Sequence, residues 1–364
     1  MAYTTIDDPS AYFHTQLYTG NNLTTQTITN NANSGDFQAD WLWIKNRDDV
    51  EQHHLMDSSR GANKFLHSNA SDDEREGSYN GGHNDINAFG SNGFTITSNG
   101  SGDELNFGTR TYVAWQWKCN GGTSNASASE SGSNVAYNFQ VNTTSKFMIN
   151  IYTGLGSDAT LNLGNQFTPQ FMLFKNRSQA DDWVVYHHKN TSDPDTDHLH
   201  LNTTAATADD QEMFEDQNFA ADEINLGTNH EVNADGENYV AYAFAEVQGF
   251  SKFGSYTGNG DADGPFIYLG FKPAWLMIKP TSLTGYWVML DNKRNTPNGT
   301  GKRLGSNASD AEYGSTNVDL LSNGFKVRAA NADSDTNGNG SSYIYMAFAE
   351  HPFVSSEGVP VTAK

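Results

Sequence analysis

Residues 239–279, YVAYAFAEVQGFSKFGSYTGNGDADGPFIYLGFKPAWLMIK, join the end of one unit to the start of the next, and both halves recur elsewhere. YVAYAFAE at Tyr239 returns as YIYMAFAE at Tyr343 and, more loosely, as YVAWQWKC at Tyr112. FKPAWLMIK at Phe271 matches FTPQFMLFK at Phe167 and FQADWLWIK at Phe37, and YTG occurs at Tyr18, Tyr152 and Tyr256. Tyr152 and Tyr256, Trp183 and Trp287, and Tyr239 and Tyr343 are each 104 residues apart. A period of that length is too long for a solenoid and suits a small domain.

Within each copy the pattern is that of strands. Trp41 and Trp43 alternate with Leu42 and Ile44, so both faces of that segment are apolar, as in a strand buried on two sides. Gly, Asn, Ser and Thr clusters punctuate runs of five to eight residues. Helical periodicity is confined to one turn at residues 209–214. The expected fold is all-β: three tandem β-sandwich, jelly-roll-like domains of about 100 residues, each long enough for its own core. The expected boundaries are an N-terminal arm (1–11), repeat 1 (12–119), a Ser/Gly/Asn-rich linker (120–144), repeat 2 (145–247), repeat 3 (248–353) and a C-terminal tail (354–364). The linker composition predicts a flexible coil that uncouples repeats 1 and 2, whereas repeats 2 and 3 abut through Val247-Gln248-Gly249.

The net charge of −22 argues against nucleic acid and anionic membrane surfaces as partners. No stretch approaches the length of a membrane span, so no membrane insertion is expected. The single Cys119 excludes an intrachain disulfide. MAYTTIDDPS lacks a basic start and an apolar run, so synthesis in a cytosol is expected.

Two strings offer oxygen ligands in calcium-loop order. Asp333, Asp335 and Asn337 precede Gly338, but position twelve is Ile344 where an EF-hand needs Glu. Asn259, Asp261 and Asp263 before Gly264 form a similar partial match. Such strings are also ordinary turns, and the turn is the favoured reading. His198 and His200 would share a strand face, and His53-His54 and His187-His188 are adjacent pairs. A metal there needs ligands converging from other segments, and His53 aligns with Trp183 and Trp287, a structural position. Carboxylate pairs such as Asp181-Asp182, Asp209-Asp210 and Asp222-Glu223 show no spacing that defines an acid–base pair. No nucleophile elbow, phosphate loop or zinc-protease motif occurs, so no catalytic residue is assigned and no enzyme is expected. Lys45, Lys175 and Lys279 end the buried strand of each repeat, with Asp57 or Asp291 as expected carboxylate partners.

YTGNG at Tyr256, FKPAWLMIK at Phe271, SNASD at residues 68–72 and 306–310, SNGF at residues 91–94 and 322–325, and the opening MAYTTIDDPSAYFHTQLYTGN together resemble a repeat family of tailed bacteriophages, of marine and cyanophage type. Ala39 in place of a proline, the YVAWQWKC ending and Thr281 in place of arginine depart from the pattern. The resemblance implies a non-enzymatic structural protein of the virion surface, as head decoration or tail-fibre appendage, made in the host cytoplasm. Its implied partners are other virion proteins and copies of itself, a trimer being the guess for number. It carries over no site residue. Two further readings stand beside it: a lectin-like module binding host glycan through Trp and Tyr faces, and a tailspike-like polysaccharide depolymerase.

Overall fold

The structure is a computed structural model and describes residues 2–31, 37–77, 85–97, 104–294, 301–314, 317–329 and 333–360. Met1 and the last four residues of the expected tail lie outside them. The fold is all-β, with only single-turn helices among the described residues, one of them at the expected place, Gln211–Phe214.

Each repeat contributes four antiparallel strands in one order. In repeat 1 these are β1 (Phe13–Thr19), β2 (Trp41–Asn46), β3 (His54–Asp57) and β4 (Thr111–Trp117), hydrogen-bonded as β1-β4-β2-β3. In repeat 2, β5 (Phe147–Thr153), β6 (Phe171–Asn176), β7 (Val184–His187) and β8 (Asn238–Phe244) pair as β5-β8-β6-β7. In repeat 3, β9 (Ser251–Thr257), β10 (Phe271–Pro280), β11 (Val288–Asp291) and β12 (Ser342–Pro352) pair as β9-β12-β10-β11. A second, smaller sheet accompanies each: Thr25–Thr29 with Gly93–Thr97 and Asp85–Gly90, Ala159–Asn162 with Glu223–Leu226, and Phe266–Tyr268 with Gly324–Val327 and Val318–Leu321.

The two apolar faces of the middle strand go to different cores. Leu42 and Ile44 pack with Ile28, Phe94 and Ile96 of repeat 1's own small sheet. Met172 and Phe174 do the same with Leu161 and Ile224, and Leu276 and Ile278 with Ile267 and Phe325. The opposite faces meet in one cluster shared by all three repeats: Trp41 and Trp43, Phe171 and Leu173, Trp275 and Met277. The cluster closes as a ring. Trp41 stacks on Tyr242 at 4.7 Å, Phe244 meets Phe348 at 5.8 Å, and Trp117 meets Trp275 at 5.6 Å. All seven tryptophans are at most 2% exposed, so none offers a sugar-stacking surface. Each repeat packs one face of its main sheet into a cluster of its own, and the second apolar face lies in a cluster shared with the other two repeats and with Ile6.

Residues 120–144 correct the linker expectation. They form the strands Ala126–Ala128 and Ala136–Asn142, which extend the repeat 2 sheet at the edge of β5. Val135, Phe139 and Val141 are buried there, and Gln140 Nε2 donates to Ser58 Oγ at 2.8 Å and Ser59 Oγ at 2.7 Å in repeat 1. Alternating apolar residues within the polar composition pair as a strand and fasten the two repeats together. The arm is also docked: Ile6 enters the shared cluster and the Tyr3 hydroxyl donates to Gly270 O at 2.8 Å.

Candidate cation sites and the joints between the repeats

The YTG string builds a clamp three times. Tyr18 stacks on Tyr112, Tyr152 on Tyr239 and Tyr256 on Tyr343, with centroids 4.8, 5.0 and 4.9 Å apart. Their hydroxyls donate to the carbonyls of Leu105 (2.9 Å), Val232 (2.7 Å) and Thr336 (2.7 Å). The next residue is asparagine in each copy. Asn106, Asn233 and Asn337 accept through Oδ1 from the backbone N–H of Asn21 (2.9 Å), Leu155 (2.8 Å) and Asn259 (2.9 Å). A Cβ on the YTG glycine would lie 2.2, 2.3 and 2.4 Å from the carbonyl oxygens of Phe107, Ala234 and Gly338, so only glycine lets the two backbones approach.

Asn337 is therefore the third copy of a structural clamp. Its Nδ2 donates to Asn259 Oδ1 (3.1 Å), Asp261 O (2.8 Å) and Ala329 O (2.6 Å). The structure thus brings the two calcium-like strings together, but joins them by amide hydrogen bonds. Asp333 caps the helix Ser334–Asn337 and pairs with Arg303 at 3.2 Å. Asp335 lies 3.4 Å from the same guanidinium and accepts the Tyr286 N–H at 2.9 Å; its carboxyl is raised from the ordinary value by burial. Asp261 accepts the Asp263 N–H at 2.8 Å, and exposed Asp263 pairs with Lys326 at 2.6 Å, which lowers its pKa. The Asp181-Asp182 pair is likewise committed, to Asn176 Nδ2 at 2.7 Å and Asn202 Nδ2 at 2.6 Å.

Two residues before each clamp asparagine stands an acid: Glu104, Glu231 and Asp335. In repeat 3 it faces Arg303, whose guanidinium also covers the Tyr313 ring at 4.6 Å. In repeat 2 it faces a histidine pair. His200 Nε2 lies 3.1 Å from Glu231, with Asp182 4.0 Å from Nδ1 and the His198 ring 4.9 Å away. In repeat 1, His54 Nε2 lies 3.0 Å from Glu104, and the His67 ring is 4.9 Å from that of His54. Burial drives the His67 pKa down to about 3. His200 goes the other way: burial lowers it, and the Glu231 carboxylate outweighs that and raises it. Sequence reading picked out His54, His198 and His200 but missed His67, Glu104 and Glu231. The signal for the acids was their fixed offset from the clamp asparagine.

Polar positions that recur between the repeats are spent on the joints between them. The SNASD asparagines Asn69 and Asn307, with Asn202, accept the backbone N–H of His53 (3.0 Å), Trp287 (2.9 Å) and Trp183 (3.0 Å). Trp183 Nε1 then donates to His67 O at 2.8 Å and Trp287 Nε1 to His200 O at 2.9 Å, each across to the preceding repeat. His53, the repeat 1 equivalent, accepts from Trp43 Nε1 at 2.9 Å; burial holds it well below the ordinary imidazole value.

Two joints carry matching charge networks. At the joint of repeats 1 and 3, Arg47 pairs with Glu312 at 2.9 Å, Arg294 with Asp291 at 2.6 Å, and Trp115 Nε1 donates to Asp291 at 3.1 Å. At the joint of repeats 2 and 1, Arg177 pairs with Glu74 at 2.7 Å, Arg60 with Asp57, and the Tyr242 hydroxyl donates to Asp57 at 2.7 Å. The third joint replaces every charged member. Thr281 stands for arginine, Thr207 for glutamate, His187 for aspartate and Asn190 for arginine, with Met346 in the Trp115 position. The backbone bond from Thr207 N–H to Thr281 O at 3.0 Å keeps the pattern of Glu74 to Arg177 (3.0 Å) and Glu312 to Arg47 (2.8 Å), and Thr207 Oγ1 donates to Asn190 Oδ1 at 2.7 Å where Glu74 and Glu312 meet Arg60 and Arg294. The set is neutral as a whole because a single charged survivor would be buried without a partner. This accounts for Thr281.

The strand-end lysines correct a second expectation. Asp57 and Asp291 belong to the arginine networks, and the lysines cap carbonyls instead. Lys45 Nζ donates to Asn46 O at 2.6 Å, Lys175 Nζ to Asn176 O at 2.7 Å, and Lys279 Nζ to Gly285 O at 3.0 Å. Burial lowers all three to about 8.

The fold and these joints define an all-β protein of internally repeated sheets closed around a shared aromatic core. The chain belongs to the DUF7483 family, described as a domain of unknown function, whose family model matches residues 8–352 and so spans all three repeats. No curated protein matches the chain. Among the described residues no helix is long and apolar enough to cross a membrane.

Proposed function

We propose that the protein is a non-enzymatic structural component of the surface of a tailed-phage particle, as head decoration or tail-fibre appendage, and that its three repeats are copies of one jelly-roll-like β-sandwich domain. The observation that carries this reading is how the polar residues of the repeats are used. Among the described residues the clamp asparagines, the joint arginines, the strand-end lysines and the Asp181-Asp182 pair hold backbone or other side chains, with none of them left converging on a groove. Such a molecule serves as a rigid body. The acidic surface suits a protein held at high density, since like charge opposes aggregation. One chain already closes a threefold-like ring, so a single copy would match a threefold position that otherwise needs a trimer. Its partners are then other virion proteins, and its place of synthesis the host cytoplasm.

Mass spectrometry of purified particles tests the reading. Many copies per particle are expected, and absence from purified particles overturns it. Immunogold labelling then separates head from tail.

A further inference from the structure

We propose that repeats 1 and 2 each bind a divalent transition-metal cation of the zinc class, at His54–His67–Glu104 and at His198–His200–Glu231, in the place that the Arg303 side chain fills in repeat 3. In both clusters one atom from each side chain lies within 4.8 Å of the others. Two imidazoles and one carboxylate are a donor set that zinc accepts, with a fourth position left for water.

Three observations carry the assignment. First, the clusters occupy one place in the repeat. The acid stands two residues before the clamp asparagine; His54, His198 and His200 lie on the short strands beside it, and His67 directly follows Leu66, which bridges to Leu55. Repeat 3 has the same acid, and there the balancing cation is the guanidinium of Arg303, 3.4 Å from Asp335. Position 303 corresponds to His198, and Gly305 to His200 and His67, so the repeat with the arginine lacks the second imidazole. A covalent cation and a histidine pair thus replace one another around a constant carboxylate.

Second, the histidines are buried with nitrogens to spare. His54 is 1% and His67 3% exposed; His54 Nδ1, His67 Nε2 and His198 Nδ1 have no hydrogen-bond partner among the described residues. A buried polar atom without a partner costs about 1–3 kcal/mol, and a metal bond removes that cost at the nitrogen it takes, most directly at His67 Nε2, whose other nitrogen already faces Asp72. Third, each cluster has an outer carboxylate. Asp72 lies 3.4 Å from His67 Nδ1 and Asp182 4.0 Å from His200 Nδ1, which leaves the Nε2 atoms as ligands. Carboxylates on the far nitrogen orient metal-bound histidines in this way. The metal would tie the short strand to the clamp loop, as Arg303 does.

The test is elemental analysis and Zn2+ titration of the full chain after chelation and dialysis. Two equivalents are expected. His67→Gln and His198→Gln should each remove one, and Arg303→Gln none. Should a histidine variant misfold, Asp182→Asn serves instead, with a roughly 10–100-fold weaker repeat 2 site and an unchanged circular dichroism spectrum. Zero or one equivalent in the parent chain, or stoichiometry and affinity untouched by these variants, overturns the proposal.

Discussion

Asp291→Ala, set beside Arg294→Met, tests whether the charge networks act as units. Asp291 is fully buried and accepts four hydrogen bonds: the N–H groups of Lys293 and Arg294 at 2.9 Å each, Arg294 Nε at 2.6 Å and Trp115 Nε1 at 3.1 Å. Removing it leaves the guanidinium of Arg294 buried, with Met289 O at 3.0 Å, a share of Glu312 at 3.3 Å and the Trp115 ring at 5.5 Å as its remaining partners. Removing one member of a buried pair costs about 3–5 kcal/mol, so about 4 kcal/mol is expected. Arg294→Met strands a carboxylate that keeps three N–H donors, and about 3 kcal/mol is expected. The double variant should cost about as much as the worse single one, a coupling of about 3 kcal/mol. For a chain of 364 residues unfolding as one unit, 4 kcal/mol lowers Tm by about 5 °C. Urea unfolding followed by tryptophan fluorescence and circular dichroism measures all four corners of the cycle. Single variants that each cost under about 1 kcal/mol, or effects that add within about 0.5 kcal/mol, would refute the reasoning.

Residues 248–353 expressed alone should show no cooperative transition and should bind a hydrophobic dye, because the Trp275, Met277 and Phe348 face would be uncovered; a sharp two-state melt would contradict the shared core. Tyr152→Phe should cost about 1–2 kcal/mol by orphaning Val232 O. Gly154→Ala should cost about 1–3 kcal/mol by forcing apart backbones that leave its Cβ only 2.3 Å from Ala234 O, and thermal melts rank the two. Lys45, Lys175 and Lys279 give a pH test. Their folded values near 8 lie below the ordinary 10.5, so the unfolded chain holds more protons in between and stability should climb with pH there. Each lysine should add about 1.5 kcal/mol between about pH 8 and pH 9.5, while the Cys119 thiol and buried tyrosine hydroxyls, raised by burial, subtract a background common to parent and variant, so the lysine climb is read from the difference between the two. Lys175→Met should flatten that climb by a third, and an unchanged slope would show that the lysine is not desolvated.

Much of the local structure was legible. Alternation in Trp41–Lys45 and its copies gave strands with two buried faces, and YTG marked a place that only tyrosine and glycine fill. The linker misled because Ser and Asn dominate residues 120–144, while the few alternating apolar residues, Val135, Phe139 and Val141, decide its pairing. The histidine clusters were half visible. His198 and His200 share one strand, but Glu231 comes from 31 residues further along the chain, and no local pattern encodes that approach.

What the sequence by itself determined is the threefold copying, the strand class, and which faces of the middle strands must be dry, because side-chain period and residue type are local properties. The tertiary structure decided what covers those faces. It set the three inner faces against one another, aimed Arg47 at Glu312 and Arg177 at Glu74, and turned the lysines onto carbonyls and away from Asp57 and Asp291. An apolar face specifies only that water must leave, and several partners satisfy that demand. The partner here is fixed by closing three sheets into a ring, which brings together residues more than 200 positions apart, such as Arg47 and Glu312.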